Sequence, residues 1–397
     1  MRDNGPLNGM QTVRAGYVAL TDCAPIIVAQ ELGFDRQAGI RFEPVRLKSW
    51  TAVRDALAFE KLECAHMPGA LSLAMHLGLS GVQTDIRVPL MLGCGGNAIT
   101  LSTKLFEEAS SLLGARIECA RADSAVLVQV VARHRKESSI RKVRLGSVHP
   151  YSSHNYELRA WLAQAGLDPD KDVELSVVPR SKMVEALANG EIDGYCVGDP
   201  WGQLAVEAGV GVTVATKADL YPYSPEKVLA FRASWLQGHN SLAAAAKNAV
   251  KAAMDWCADT DNHSDLSQIL AQGEYLGASS EVILRALSCR PRLAPGDSGI
   301  KVVNYLGFSG LSGVSDASAL WLLAQMRRWG QVPEGLEKDV RGVFAPLECS
   351  AGEPRPQEFK DIETVAVDPA RQAFDGVPFT ANNIEDYWRS FPISCGE

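Results

Sequence analysis

The sequence predicts an α/β protein built as two lobes around a ligand cleft. Three observations predict it. The chain has 397 residues, beyond the roughly 100–200 of an ordinary single domain. Strand-like and helix-like segments alternate from residue 13, and the alternation restarts at residue 143. A late apolar run, "KVLAFRASWL" (227–236), reads as a strand returning to the first series. Such β-α alternation is the pattern of a mainly parallel sheet covered by helices. Ligands of open α/β sheets bind at the carboxyl ends of the strands, and small molecules favour clefts between lobes.

The elements follow in order. "VRAGYVAL" (13–20) is a short apolar strand. "CAPIIVAQELGFDRQAG" (23–39) reads as a helix that stops at Gly39, because glycine readily ends helices in the left-handed conformation. "IRFEPVRL" (40–47) alternates like a strand, and "WTAVRDALAFEKL" (50–62) carries apolar residues at helical spacing. "VPLMLGCGGNAITLS" (88–102) is an apolar run broken by glycines. In the second series, 143–150 and 173–179 are strands, while 155–167 and 181–194 are helices. "YCVGDPWGQLAVEAG" turns into another helix, which Asp199 and Pro200 are placed to cap. "GNAITLS" and "SPEKVLAF" are the expected crossings between lobes. From 236 to about 330 the chain is mostly helical, and the Pro- and charge-rich stretch 347–372 reads as part of a loose arm.

Composition excludes several functions. With 46% hydrophobic and 22% charged residues the chain is an ordinary globular protein. A net charge of −8 and a pI near 5.5 leave no footprint for direct nucleic-acid binding. No run of about 20 apolar residues exists to span a membrane. The first ten residues are polar and carry no apolar signal core, so the expected location is the cytoplasm. Nine scattered cysteines without a CxxC pair read as reduced thiols, not as a disulfide framework or zinc site. Neither a metal nor a cofactor is expected. No GxSxG, HExxH or P-loop is present, and the expectation is a binding protein, not an enzyme.

Four places can carry binding chemistry, each with a plainer reading beside it. Ser49-Trp50 follows a strand; the indole is either a flat cleft wall with one N–H donor or core. Asn97 in "GCGGNAITLS" is either an amide donor beside close backbone or part of a tight hinge. Ser153, His154 and Asn155 sit where a helix begins. Ser153 or Asn155 is either a simple N-cap, or the cluster faces an anion with the help of the helix dipole. Lys227 precedes an apolar strand, at a cleft or on a solvated surface.

The strings "GYVALTDCAPIIVAQELGFDRQAGI", "SWTAVRDALA", "AHMPG", "GNAIT", "SSHNYELRAWLAQAGLDPDKDV", "MVEALANGEIDGYCVGDPW" and "PEKVLAFRASW" occur in this order. Together they resemble the nitrate-binding proteins of the nitrate/bicarbonate ABC-importer family, over residues 13–330. The resemblance implies a type II periplasmic-binding-protein fold with a discontinuous first lobe. Lobe 1 is then 11–102 and 227–335, lobe 2 is 103–226, and 336–397 is a C-terminal arm. It also implies that Ser49, Trp50, Asn97, Ser153, His154 and Lys227 surround the anion. Relatives often carry glutamine near Asn97, and many carry histidine where this chain has Ser224. Bicarbonate-binding members use a calcium-assisted site with an acidic residue in place of the lysine, so Lys227 favours nitrate or nitrite. Nitrate is planar, singly charged and offers only acceptors. A selective pocket therefore needs donors from several directions and a compensating charge.

Within that family the absence of an export signal is similar to the cytoplasmic NasS-type sensors. The implied function is a nitrate/nitrite receptor regulating nitrate assimilation. It holds an RNA-binding NasT-like antiterminator and releases it when the anion binds. The alternative is the substrate-binding subunit of a nitrate ABC importer. A third reading, an enzyme similar to the two-lobed pyrimidine-precursor synthases, lacks their cysteine-rich motif here.

Overall fold

A computed structural model describes residues 9–114, 124–137, 141–222, 224–308, 314–347, 376–377, 379–382 and 384–394. Twelve strands run through them: β1 (Thr12–Val18), β2 (Arg41–Leu47), β3 (Cys64–Pro68), β4 (Ile86–Met91), β5 (Cys94–Gly95), β6 (Asn97–Ser102), β7 (Arg144–Ser147), β8 (Glu174–Val177), β9 (Gly194–Gly198), β10 (Gly211–Thr216), β11 (Lys227–Arg232) and β12 (Leu306–Gly307). They form two five-stranded sheets, ordered β2-β1-β3-β11-β4 and β10-β6-β9-β7-β8, and a two-stranded clip, β12-β5.

Each sheet is mainly parallel, with one strand running against the other four. In the first, β1 runs parallel to β2 and β3, but β11 is antiparallel to β3 and β4. In the second, β7 is parallel to β8 and β9, but β6 is antiparallel to β9 and β10. The antiparallel strands are the two that bring the chain across. Such direction depends on long-range connection, which a local reading of alternation does not contain. β6 belongs to the second sheet, so Asn97–Ser102, assigned from sequence to the end of lobe 1, lies in lobe 2.

Local chemistry explains the element ends. The segment 23–39 is two helices, Ala24–Glu31 and Phe34–Gln37, because Gly33 between them takes φ +76°. Pro44 lies in β2, an edge strand where a missing N–H removes no ladder bond. Pro89 lies in β4, where the register with β11 shifts. β9 and β11 are buried along their whole length and read as continuous apolar runs with few exceptions. Ser49, Ser102, Ser152, Ser279 and Ser315 each cap a helix, accepting from the backbone N–H three residues on. The cap of helix Ser153–Gln164 is therefore Ser152, not Ser153 or Asn155. Asp199 caps nothing: helix Trp201–Glu207 has no side-chain cap bond, and the Asp199 carboxylate accepts a hydrogen bond from Tyr305.

The first lobe packs Ile26, Ile27, Val28, Leu229 and Phe231 against the long helix Asn240–Ala258. The second buries Leu101, Leu145, Leu127, Val130 and Trp161. The arm is not loose where it is described. Helix Ile384–Arg389 lies on helix Asp316–Arg328, with Tyr387, Trp388 and Phe391 buried and Gln325 donating to the Tyr387 hydroxyl at 3.1 Å. Residues 348–372 of the Pro- and charge-rich stretch fall outside the described residues, as do Cys119, Cys349 and Cys395. Cys23, Cys64, Cys196 and Cys257 are buried free thiols, and Cys94 and Cys289 are half-buried ones. No helix among the described residues is long and apolar enough to cross a membrane.

Candidate functional site

The crossing strands have equivalent starts. Lys227, the first residue of β11, pairs with Pro68, the last of β3. Asn97, the first residue of β6, pairs with Gly198, the last of β9. Each crossing thus sets a polar residue at the carboxyl end of its neighbour, and both are wholly buried. The start of helix Ser153–Gln164 joins them, because Ser153 Oγ donates at 2.6 Å to Oε1 of Glu226, the residue before β11.

A sealed network of charge surrounds these starts. Lys227 Nζ lies 3.1 Å from Asp22 Oδ2 and 2.5 Å from Glu226 Oε1. Lys217 Nζ lies 2.9 Å from Glu157 Oε1 and 3.1 Å from Glu226 Oε2, and donates to Ser224 Oγ at 2.6 Å. His66 Nε2 faces Asp22 Oδ1 at 3.0 Å. Asn97 Nδ2 donates to both oxygens of Glu157 at 3.1 Å.

Burial disfavours every charge here, and the pairing answers it. Burial opposes the Asp22 carboxylate, but Lys227 and His66 outweigh it and hold its pKa below the ordinary value. Lys227 and Lys217 do the same more strongly for Glu226. Burial likewise opposes both ammonium groups, and their carboxylate partners hold their pKa values above the ordinary one. Glu157 is the exception, raised because burial prevails over Lys217 and Glu226 lies near. Burial, then Lys227, presses His154 down to about 3. Burial lifts Asp199 to about 7 against its Tyr305 hydrogen bond.

Within this network several polar atoms have no hydrogen-bond partner among the described residues. They are both ring nitrogens of His154, His66 Nδ1, Asn97 Oδ1, Thr21 Oγ1 and Asp199 Oδ1, all buried, and Glu226 Oε2, which faces the Lys217 ammonium at 3.1 Å. Buried polar groups are normally paired, so the unpartnered donors among them, on His154 and Thr21, mark a place where an acceptor ligand can complete the bonding. Two of the unpartnered atoms lie beside Gly198. A Cβ there would stand 3.5 Å from Asn97 Oδ1, 3.6 Å from His154 Nε2 and 3.3 Å from Leu20 Cδ1. Arg180 shuts the mouth from the second lobe. Its guanidinium donates to the Ala19 carbonyl at 3.1 Å and the Lys48 carbonyl at 2.7 Å, just beyond the ends of β1 and β2. Thr21 N–H donates to the Asp199 carbonyl at 2.9 Å, completing a closed arrangement of the lobes.

The residues singled out from sequence fare differently. Trp50 is buried, with its ring 5.4 Å from that of His66 and its centroid 5.7 Å from Lys227 Nζ, so it is both core and wall. Ser49 stands apart, because its hydroxyl is engaged as the cap of helix Trp50–Ala58. Asn97 was expected as a free donor, but Glu157 takes its N–H bonds and leaves the carbonyl oxygen. Lys227 was expected as an uncommitted positive charge; it is already balanced by Asp22 and Glu226. His154 alone keeps its donors and acceptors unengaged. Asp22, His66, Glu157, Arg180, Lys217 and Glu226 were not singled out. The adjacency of Glu226 and Lys227 in "PEKV" was the one local signal for any of them. Among the described residues no group of three or more His, Cys, Asp or Glu is arranged to hold a metal ion.

Known proteins share this architecture. The chain matches the NMT1-like family over residues 8–271. It is 32% identical over 390 residues to the bicarbonate transport ATP-binding protein CmpC of Synechococcus elongatus, covering 95% of this chain and 54% of that one. It is 30% identical over 400 residues to the nitrate/nitrite binding protein NrtA of Synechococcus elongatus, covering 94% of this chain and 85% of that one. The chain spans about half the length of the ATP-binding relatives. The crystal structure of the periplasmic nitrate-binding protein NrtA from Synechocystis superposes with a TM-score of 0.82 at 24% identity, covering 97% of this chain and 99% of that one. The alkanesulfonate-binding protein SsuA from Xanthomonas axonopodis gives 0.57 at 14% identity, covering 81% and 95%. These likenesses show the two-lobed fold of periplasmic binding proteins, and the sequence match makes the chain a member of the NMT1-like family, homologous to the NrtA binding proteins.

Proposed function

We propose that this chain is a receptor whose lobes close on nitrate or nitrite. The observation that carries the reading is the unpartnered His154 ring, buried beside Gly198 between the crossing strands. His154 and the Thr21 hydroxyl are donors without acceptors, and a small oxyanion offers acceptors on every side. Trp50 supplies a flat wall and the Lys227 ammonium lies over its ring. The NrtA relatives, named for nitrate and nitrite, support the ligand class. Titration calorimetry with nitrate, nitrite and bicarbonate, each with and without calcium, tests it. Micromolar binding of nitrate or nitrite without metal is expected. No binding, or binding of bicarbonate only with calcium, refutes it.

For the biological role we propose a cytoplasmic receptor that holds a basic, RNA-binding NasT-like antiterminator and releases it on anion binding. The net charge of −8 supports a basic partner, and closure across the Arg180 and Ser153 contacts supplies two states for a ligand to select. A second reading, the binding subunit of a nitrate importer, draws support from the NrtA and NrtC relatives. Co-purification separates the two. A nitrate-sensitive complex with an antiterminator supports the sensor; a complex with transporter subunits, or recovery from the periplasm, replaces it.

A further inference from the structure

The charges of the site do not sum to a pocket ready for a bare anion. Asp22, Glu157 and Glu226 carry three negative charges against two positive ones on Lys217 and Lys227, all with side chains at most 5% exposed. With His154 neutral, the three carboxylates outnumber the two ammonium groups by one before any ligand arrives, and Asp199 adds to the excess whenever it ionises. Each positive charge is already engaged. Enclosing a second uncompensated negative charge is among the costliest things a protein interior can do.

The geometry names the group that can relieve this. Glu157 accepts from Asn97 with both oxygens and from Lys217. Glu226 accepts from Ser153 and Lys227, and Asp22 from His66 and Lys227. Protonating any of these would break an existing hydrogen bond or ion pair. His154 has two unpartnered ring nitrogens, and only the imidazolium form donates from both. From the start of β11 and the residue before it, it feels Lys227 and Glu226, from the turn after β1 Asp22, and from helix Lys217–Leu220 Lys217. Glu157 stands one turn along its own helix, His66 is turned to Asp22, and Asp199 follows Gly198.

We infer that the anion enters this site together with one proton, which the His154 ring takes up. The bound species is then a monoanion held against an imidazolium, and the cluster keeps the total charge it had when empty. The inference rests on the anion-receptor reading and specifies its stoichiometry. In the free protein burial keeps His154 neutral at physiological pH, whereas an anion in contact favours its charged form. Between the two pKa values affinity falls as pH rises, toward a limit of about tenfold per pH unit.

Nitrate titrations at one pH in Hepes and in Tris count the protons, because the buffers differ in ionisation enthalpy. An uptake close to one proton per nitrate is expected, with a dissociation constant that grows as the pH is raised. His154→Gln keeps a donor but cannot gain the charge, so its uptake falls to near zero and its affinity loses the pH dependence. Glu157→Gln, which removes one negative charge and keeps the side-chain shape, lowers the uptake even if the histidine variant fails to fold. Nitrate binding without proton uptake overturns the inference and leaves the receptor reading intact. Unchanged uptake in His154→Gln overturns it as well. Absence of nitrate binding at every pH from about 5 to 8 overturns the receptor reading and this inference with it.

Discussion

Replacing Lys227 with methionine removes the cation that sits between Asp22 and Glu226 while keeping most of the side-chain volume. The two carboxylates are buried and lie 3.1 and 2.5 Å from the ammonium. Breaking a buried pair by deleting one partner costs about 3–5 kcal/mol, because the remaining charge is left uncompensated. Glu226 keeps Lys217 and Ser153, and Asp22 keeps His66, which places the expected loss near the lower end, about 3 kcal/mol. That is roughly a hundredfold in the folded-to-unfolded ratio. The sign of the pH dependence follows from the pairing. In the native protein both carboxylates have lowered pKa values. Their stabilisation is present above the unfolded pKa of about 4 and is lost as pH falls through the folded values. Without the ammonium, burial dominates at Asp22, so ionising it costs stability as the pH rises. The gap between native and variant protein therefore widens from pH 5 to pH 7. Urea unfolding followed by circular dichroism at the two pH values measures it, and Asp22→Asn added to the variant should recover part of the loss. A loss below about 1 kcal/mol at pH 7, or one independent of pH, refutes the charge balance drawn for this site.

Four further outcomes are expected. Gly198→Ala folds after a small shift of the Leu20 side chain, whose Cδ1 the new Cβ meets at 3.3 Å, but it covers the His154 ring and weakens nitrate binding at least about tenfold, roughly 1.4 kcal/mol, by calorimetry. Arg180→Ala removes two charge-assisted bonds to Ala19 and Lys48, worth about 1.5–3 kcal/mol each, and ligand release measured by stopped flow becomes faster. Asp199→Asn gains stability relative to the native protein as the pH rises from 5 to 8. The native carboxyl keeps its proton up to about pH 7 while the unfolded chain loses it near 4, so the native fold weakens across that interval and the amide does not. Gly95→Ala forces a side chain at φ +75° to within 2.1 Å of the Tyr305 carbonyl oxygen, and a lowered melting temperature reports loss of the β5–β12 clip.

Much of the local architecture is legible in the sequence, for a definite reason. Ser49 shows itself by standing between a strand and an apolar helical pattern, the run of polar residues at 152–155 hides which of them is the cap, and β11 stands out as an apolar run because both of its faces are buried. Gly33 hides a break in a helix because the same residue is also tolerated within one. Strand direction is not local, so the antiparallel course of β6 and β11 was not visible. The same limit applies to the site. His154 shows itself by sitting at a helix start, and Lys227 by preceding an apolar strand. Their partners do not, because Asp22, Glu157 and Lys217 read as ordinary surface charges until the crossing strands bring them together. A lysine judged alone looks like free positive charge; only its neighbours in space reveal that it is neutralised.

The place of β11 in the first sheet has a consequence for how the molecule is made. β4 touches that sheet only through β11, which lies between it and β3. As the chain emerges from the ribosome, β1 to β4 precede the whole second sheet, and their sheet stays open until residue 232 has been synthesised. The second sheet, β6 to β10, is complete before then. The strand that finally closes the first sheet begins with Lys227, preceded by Glu226. The residues proposed to hold the ligand therefore come together only in the step that closes the first sheet, and a stalled or clipped chain ending before β11 presents two unsealed strand edges and lacks Lys227.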